Sequence, residues 1–172
     1  MGKRTPLKDL ILAMLISSAL ASTLVGVGLT RYVAHTQEEV KSQRAWKEKS
    51  VAELLGPMNI QLNRTKLALG RWNEQNLYLE AKVMKAGNET IRDLLLTKGH
   101  LIPSDLFDDA DKLIQHYDVW LELYEKQRAG KEPDLRAKFT FAAERGFPFP
   151  KDAERRFKER YQQYVNELYG QN

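Results

Sequence analysis

No cysteine occurs in the 172 residues, which excludes disulfides, thiolate nucleophiles and cysteine-ligated metal centres. Histidine is almost as scarce. His35, His100 and His116 are the only three, and none has a second ligand at helical spacing. Six prolines and ten glycines leave long stretches unpunctuated. No stretch alternates apolar and polar residues with period two, so a sheet-based fold is not expected. Neither a Gly-x-Ser-x-Gly elbow nor a phosphate-cradling glycine loop is present. The adjacent carboxylates Glu38–Glu39 and Asp108–Asp109 do not converge on one helix face. The acidic run Asp105 to Asp111 lacks the glycine and closing glutamate of a calcium loop, and it suits the positive end of a helix dipole. These absences point to a non-catalytic protein without a metal or other cofactor.

Long charge-free runs are also absent, with one exception. Leu10 to Leu29 holds twenty residues without a charge, eleven of them Leu, Ile, Val or Met. At about 1.5 Å per residue this run spans roughly 30 Å, the thickness of a bilayer's hydrocarbon core. Each strongly apolar residue favours insertion by about 0.3–0.6 kcal/mol, so the run is expected to cross a membrane as one helix. A cleaved signal peptide is the rival reading, with Ala19-Leu20-Ala21 as the cleavage site. The apolar stretch continues through Leu24, Val25, Val27 and Leu29, which favours an uncleaved anchor. Within it Ser18, Ser22 and Gly26 form a small-residue strip that would let another helix approach closely; Ala13, Ser17 and Ala21 make a rival strip on a neighbouring face.

The charge balance bears on partners. Lys3, Arg4, Lys8 and Arg31 against Asp9 place +3 of the net +4 in the first 31 residues and leave the rest at +1. The excess frames the apolar run, and no nucleic-acid partner is expected. A short basic tail, residues 1–9, favours a cytoplasmic N-terminus. The expected location is then a bacterial inner membrane, crossed once, with the C-terminal domain in the periplasm.

Residues 30–55 lack glycine and proline and read as a helical stalk. Gly56-Pro57 is the first punctuation, where Gly56 would end one helix and Pro57 open the next. Leu55, Leu62, Leu69, Asn76 and Val83 then fall seven apart, interleaved with Met58, Thr65, Trp72, Leu79 and Ala86. This is a coiled-coil-like seam, with Asn76 as a polar position able to set register or partner choice. Gly87-Asn88 either interrupts this helix or is tolerated within it. A helix from Ser104 to about Arg128 carries Leu106, Ala110, Leu113, Tyr117, Trp120 and Tyr124 on one face. A last helix, Lys151 to Tyr169, carries Ala153, Phe157, Tyr161, Tyr164 and Leu168. Residues 129–150 hold three prolines, two glycines and four phenylalanines. There Arg145, Phe147 and Phe149 either close the end of the bundle or present a docking element at low entropy cost.

The expected fold is all-α: a transmembrane helix (10–29), a stalk (30–55) and a three- to four-helix bundle (56–172). The expected function is protein–protein contact as an accessory, regulatory or scaffold subunit of a membrane complex, with self-association through the anchor and bundle as one form. A ligand-sensing periplasmic bundle and a small membrane-perturbing effector are the alternatives.

Overall fold

The computed structural model describes residues 33–73, 76–130, 132–133 and 135–170. The run Leu10–Leu29, with Ser18, Ser22 and Gly26, lies outside them. Among the described residues no helix is long and apolar enough to cross a membrane. Every regular element among them is helical. Contacts divide the chain at Arg44, into residues 1–44 and 45–172. In the first unit, residues 33–44 are helical and exposed at every position. Glu38, Glu39, Lys41 and Arg44 leave no apolar stripe there.

The second unit is a bundle of four helices. Helix α1, residues 45–71, passes through a π-helical turn at Ser50–Leu55 into Gly56–Arg71. Helix α2, residues 77–97, contains the π-helical stretch Leu79–Lys85 followed by Ala86–Thr97. Helix α3 covers Phe107–Tyr124, entered through a 3-10 turn at Ser104–Leu106 and extended by a π turn at Glu125–Ala129. Helix α4 is Lys151–Tyr169, as its apolar spacing predicts. Each helix packs on the next and α4 returns against α1, which closes the bundle.

Two local features differ from the sequence reading, and a third settles an alternative it left open. Gly56-Pro57 does not divide two helices. The Gly56 N–H donates to the Val51 carbonyl five residues back, and this widened turn accommodates a proline that would strain a regular helix. A Cβ on Gly56 would come within 2.7 Å of that carbonyl oxygen. Gly87-Asn88 lies inside α2, where the bare Gly87 backbone lets α1 come close. A Cβ there would meet Thr65 Cγ2 at 2.3 Å. Finally, the seam is not continuous, because the chain leaves helical geometry after Arg71 and re-enters it at Leu77. Two helices joined by so short a connection must pack antiparallel.

The core has two parts. The larger cluster draws on all four helices, with Leu54, Met58, Leu62, Ile91, Leu95, Leu113, Tyr117, Ala153 and Phe157 among its members. The smaller contains Ala68, Leu79, Val83, Met84, Trp120, Leu121, Leu123, Tyr124, Phe139 and Ala142, and no residue of α4. Its fourth side is supplied by the α3–α4 connection, where Phe139 is fully buried with its ring tilted against those of Trp120 and Tyr124. A long irregular connection therefore does the packing of a helical turn.

Candidate functional site

The α3–α4 connection carries the docking residues expected from sequence, and the structure separates them. Arg145 ends the 3-10 turn Ala142–Arg145 and is exposed. Phe147 is also exposed, at 41% of its surface. Phe149 is half-buried against the larger core cluster, its ring 5.3 Å from that of His116 and 6.4 Å from that of Tyr117. Of the four phenylalanines only Phe147 is presented to solvent. Phe139 is core, and Phe141 packs edge-on against Trp72 at 5.0 Å.

Beneath Phe147 lies a shallow cleft of about 170 Å³ bordered by Lys112, Gln115, His116 and Pro150. His116 Nδ1 sits 2.9 Å from the Phe147 carbonyl oxygen. A carbonyl only accepts, so the imidazole carries its proton on Nδ1. Burial pushes the His116 pKa down, against the opposing pull of that carbonyl. The neighbouring Tyr117 hydroxyl is pushed well up by burial and by the Glu154 charge. This is a clamp that holds the connection to α3, with no nucleophile poised beside a base.

A second polar centre fastens the other end of the connection. Glu80 and Arg128 are both buried and meet through Arg128 Nε to Glu80 Oε2 at 2.6 Å, with Nη2 also reaching Oε1 at 3.4 Å. Trp72 Nε1 donates to Glu80 Oε1 at 2.8 Å, and Arg128 Nη2 donates to the Ala137 carbonyl at 3.0 Å. The guanidinium also lies over the Phe139 ring, 5.6 Å from its centroid. Alongside, the Gln127 side-chain amide exchanges hydrogen bonds with the Thr140 backbone in both directions. Glu80 and Arg128 stand in π-helical turns of α2 and α3, where one extra residue per turn re-aims a side chain.

Two members of the acidic run at the start of α3, Asp105 and Asp109, are engaged by α4. Arg160 donates to Asp105 at 2.9 and 2.7 Å, and Arg156 Nη1 lies 2.6 Å from the buried Asp109 carboxylate. The Arg160 bond holds the Asp105 carboxyl below its usual range. These pairs tie α3 to α4. Among the described residues no group of three acidic or histidine side chains is arranged to hold a metal ion. Asn76 is not at a helix–helix seam; its Oδ1 accepts from the Leu79 N–H at 3.1 Å and caps the start of α2.

One surface escaped the sequence reading. Ile60, Arg64, Leu67 and Arg71 follow one another at spacings of four, three and four along the outer face of α1. With Asn63 and Val83 of α2 they line an open groove of about 420 Å³. Ile60 and Leu67 are 66% and 69% exposed, the most open large aliphatic side chains among the described residues. Arginines alternate with the aliphatic residues along the stripe, which hides its apolar spacing in the sequence.

No family model, no curated protein and no solved structure matches this chain.

Proposed function

We propose that this chain is a single-pass membrane protein whose helical bundle works by contact with other proteins, as an accessory, regulatory or scaffold subunit rather than an enzyme. The observation that carries this reading is the charge-free run Leu10–Leu29, placed between basic flanks ahead of a bundle. Its location is then a bacterial inner membrane, with the N-terminus cytoplasmic and the bundle periplasmic; the stalk expected over residues 30–55 is shortened to 30–44, because Val51, Leu54 and Leu55 are core residues of the bundle. The Ser18, Ser22, Gly26 strip would let the anchor pack against a neighbouring membrane helix. Two features of the bundle support a contact role. Phe147 is held exposed on a connection clamped at both ends, and the α1–α2 face leaves aliphatic side chains in solvent.

Fusing alkaline phosphatase to the C-terminus of the full chain tests the membrane reading. The fusion is expected to resist carbonate extraction and to show phosphatase activity, which requires export. Recovery in the soluble fraction would overturn the anchor, and an inactive phosphatase in the membrane would overturn the orientation.

A further inference from the structure

The α1–α2 groove sets the two most exposed large aliphatic side chains among the described residues beside two arginines. Several cations elsewhere on the bundle are answered by carboxylates within the chain. Lys47 pairs with Glu167, Lys98 with Glu53, Arg155 with Asp152 and Glu159, and Lys158 with Glu154. Arg64, Arg71 and Lys82 make no ion pair with a described residue; the hydrogen-bond acceptors of Arg64 are the neutral Gln61 side chain and the Lys82 carbonyl. The groove thus combines an apolar floor and walls (Val83, Ile60, Leu67) with two arginines, Arg64 and Arg71, that no carboxylate among the described residues answers.

Repetition at four, three and four residues is the spacing at which one helix meets another. The stripe is therefore a second seam on α1, directed away from the bundle core. Its occupant must bring apolar knobs at matching spacing and negative charge beside them. A second copy meeting the same groove about a two-fold axis would set Arg64 and Arg71 against their own counterparts, and like charges so placed repel. A bilayer is flat and would touch Ile60 and Leu67 without reaching the recessed Val83.

We infer that this groove docks an amphipathic helix of a different polypeptide, with apolar side chains at i, i+3 or i+4 and i+7 flanked by aspartate or glutamate. The inference rests on the protein-contact reading above and names the surface and the chemistry of the partner. The apolar anchors fill the space between Ile60, Leu67 and Val83, while the carboxylates approach Arg64 and Arg71 in bidentate geometry. Arginine at both positions suits this better than lysine would, because its planar fork matches a carboxylate.

The test uses the full chain in mild detergent and a panel of fluorescein-labelled synthetic helices of about 16 residues. All carry leucine or phenylalanine at the stated spacing, flanked by glutamate in one set and by lysine in the other. Members of the glutamate set are expected to bind at least about tenfold more tightly than their lysine counterparts, a difference of about 1.4 kcal/mol. Leu67→Asp should abolish that binding, and Arg64→Glu with Arg71→Glu should reverse the charge preference. Both sites are exposed, and unchanged circular dichroism shows that each variant folds. No binding by any glutamate helix, equal binding by both sets, or binding indifferent to Leu67→Asp would overturn the inference. So would a dimer in sedimentation, or capture by phosphatidylglycerol vesicles, that disappears in Leu67→Asp, since either gives the groove to another occupant. Failure on any of these arms with the phosphatase fusion active in the membrane removes the groove and leaves the membrane reading standing.

Discussion

Glu80 and Arg128 show what one buried pair asks of the residues around it. Two charges removed from water are tolerated only when their remaining hydrogen-bonding capacity is filled, and here Trp72 and the Ala137 carbonyl fill part of it. Removing one partner strands the other. Glu80→Leu or Arg128→Met alone is expected to cost about 3–5 kcal/mol, by urea unfolding of the full-length protein. The double replacement should cost less than the sum of the two, with a coupling of about 1–3 kcal/mol. Additive losses in the cycle would show that the pair contributes nothing as a pair. Neither partner is identifiable from sequence. Glu80 and Arg128 lie 48 positions apart, in a chain with 50 charged Asp, Glu, Lys and Arg residues, so only folding selects them.

At the scale of elements, the α3–α4 connection is the part whose role the sequence left open, and the structure divides it between packing and display. α4 contributes to the larger core cluster only, so the smaller one needs another wall. Phe139 and Ala142 supply it, on a segment clamped by Arg128 and Gln127. Phe139→Ala should lower stability by about 3–5 kcal/mol, whereas Phe147→Ala should change it by no more than about 0.5 kcal/mol. Urea midpoints compared between the two variants check this, and equal losses would contradict the division. Helix faces were legible beforehand: Leu106, Ala110, Leu113, Tyr117, Trp120 and Tyr124 are all buried as their spacing requires. Leu69 is the exception. It stands at a seam position yet is half exposed, while Ala68 beside it is fully buried. Heptad spacing assumes a partner along the whole helix, and the smaller cluster at Ala68 contains no residue of α4.

For the molecule as a whole, the groups with shifted pKa values that bear on acid stability act in one direction. The unfolded chain protonates a histidine near pH 6.5, while burial keeps the folded His116 neutral to lower pH. Acidification below about 6.5 therefore favours the unfolded chain and removes stability. Asp105, Glu53 and Glu167 are held down by hydrogen bonds from Arg160, Lys98 and Lys47, so the stability they contribute is lost as pH falls through and below about 4. Thermal unfolding of the full-length protein should show Tm declining in two steps on acidification, the first below about pH 6.5. His116→Asn, whose amide N–H can take the place of Nδ1–H, should lose the first step and keep the second. A Tm that does not change between about pH 7.5 and 5 in the parent protein would refute the His116 assignment.

The division between one dimension and three is clear in this chain. Composition and periodicity alone determined that it is helical, that about four amphipathic segments exist, and that one charge-free run is long enough to span a bilayer. Each is a property of consecutive residues: helical period is local, and transfer to an apolar phase depends on the run itself. Only the tertiary structure decided which of four phenylalanines is core, which arginine meets which glutamate, and that Ile60, Arg64, Leu67 and Arg71 border an open groove. Those facts depend on how far each neighbouring helix extends and on π turns that rotate the residues after them, and neither is a function of local spacing.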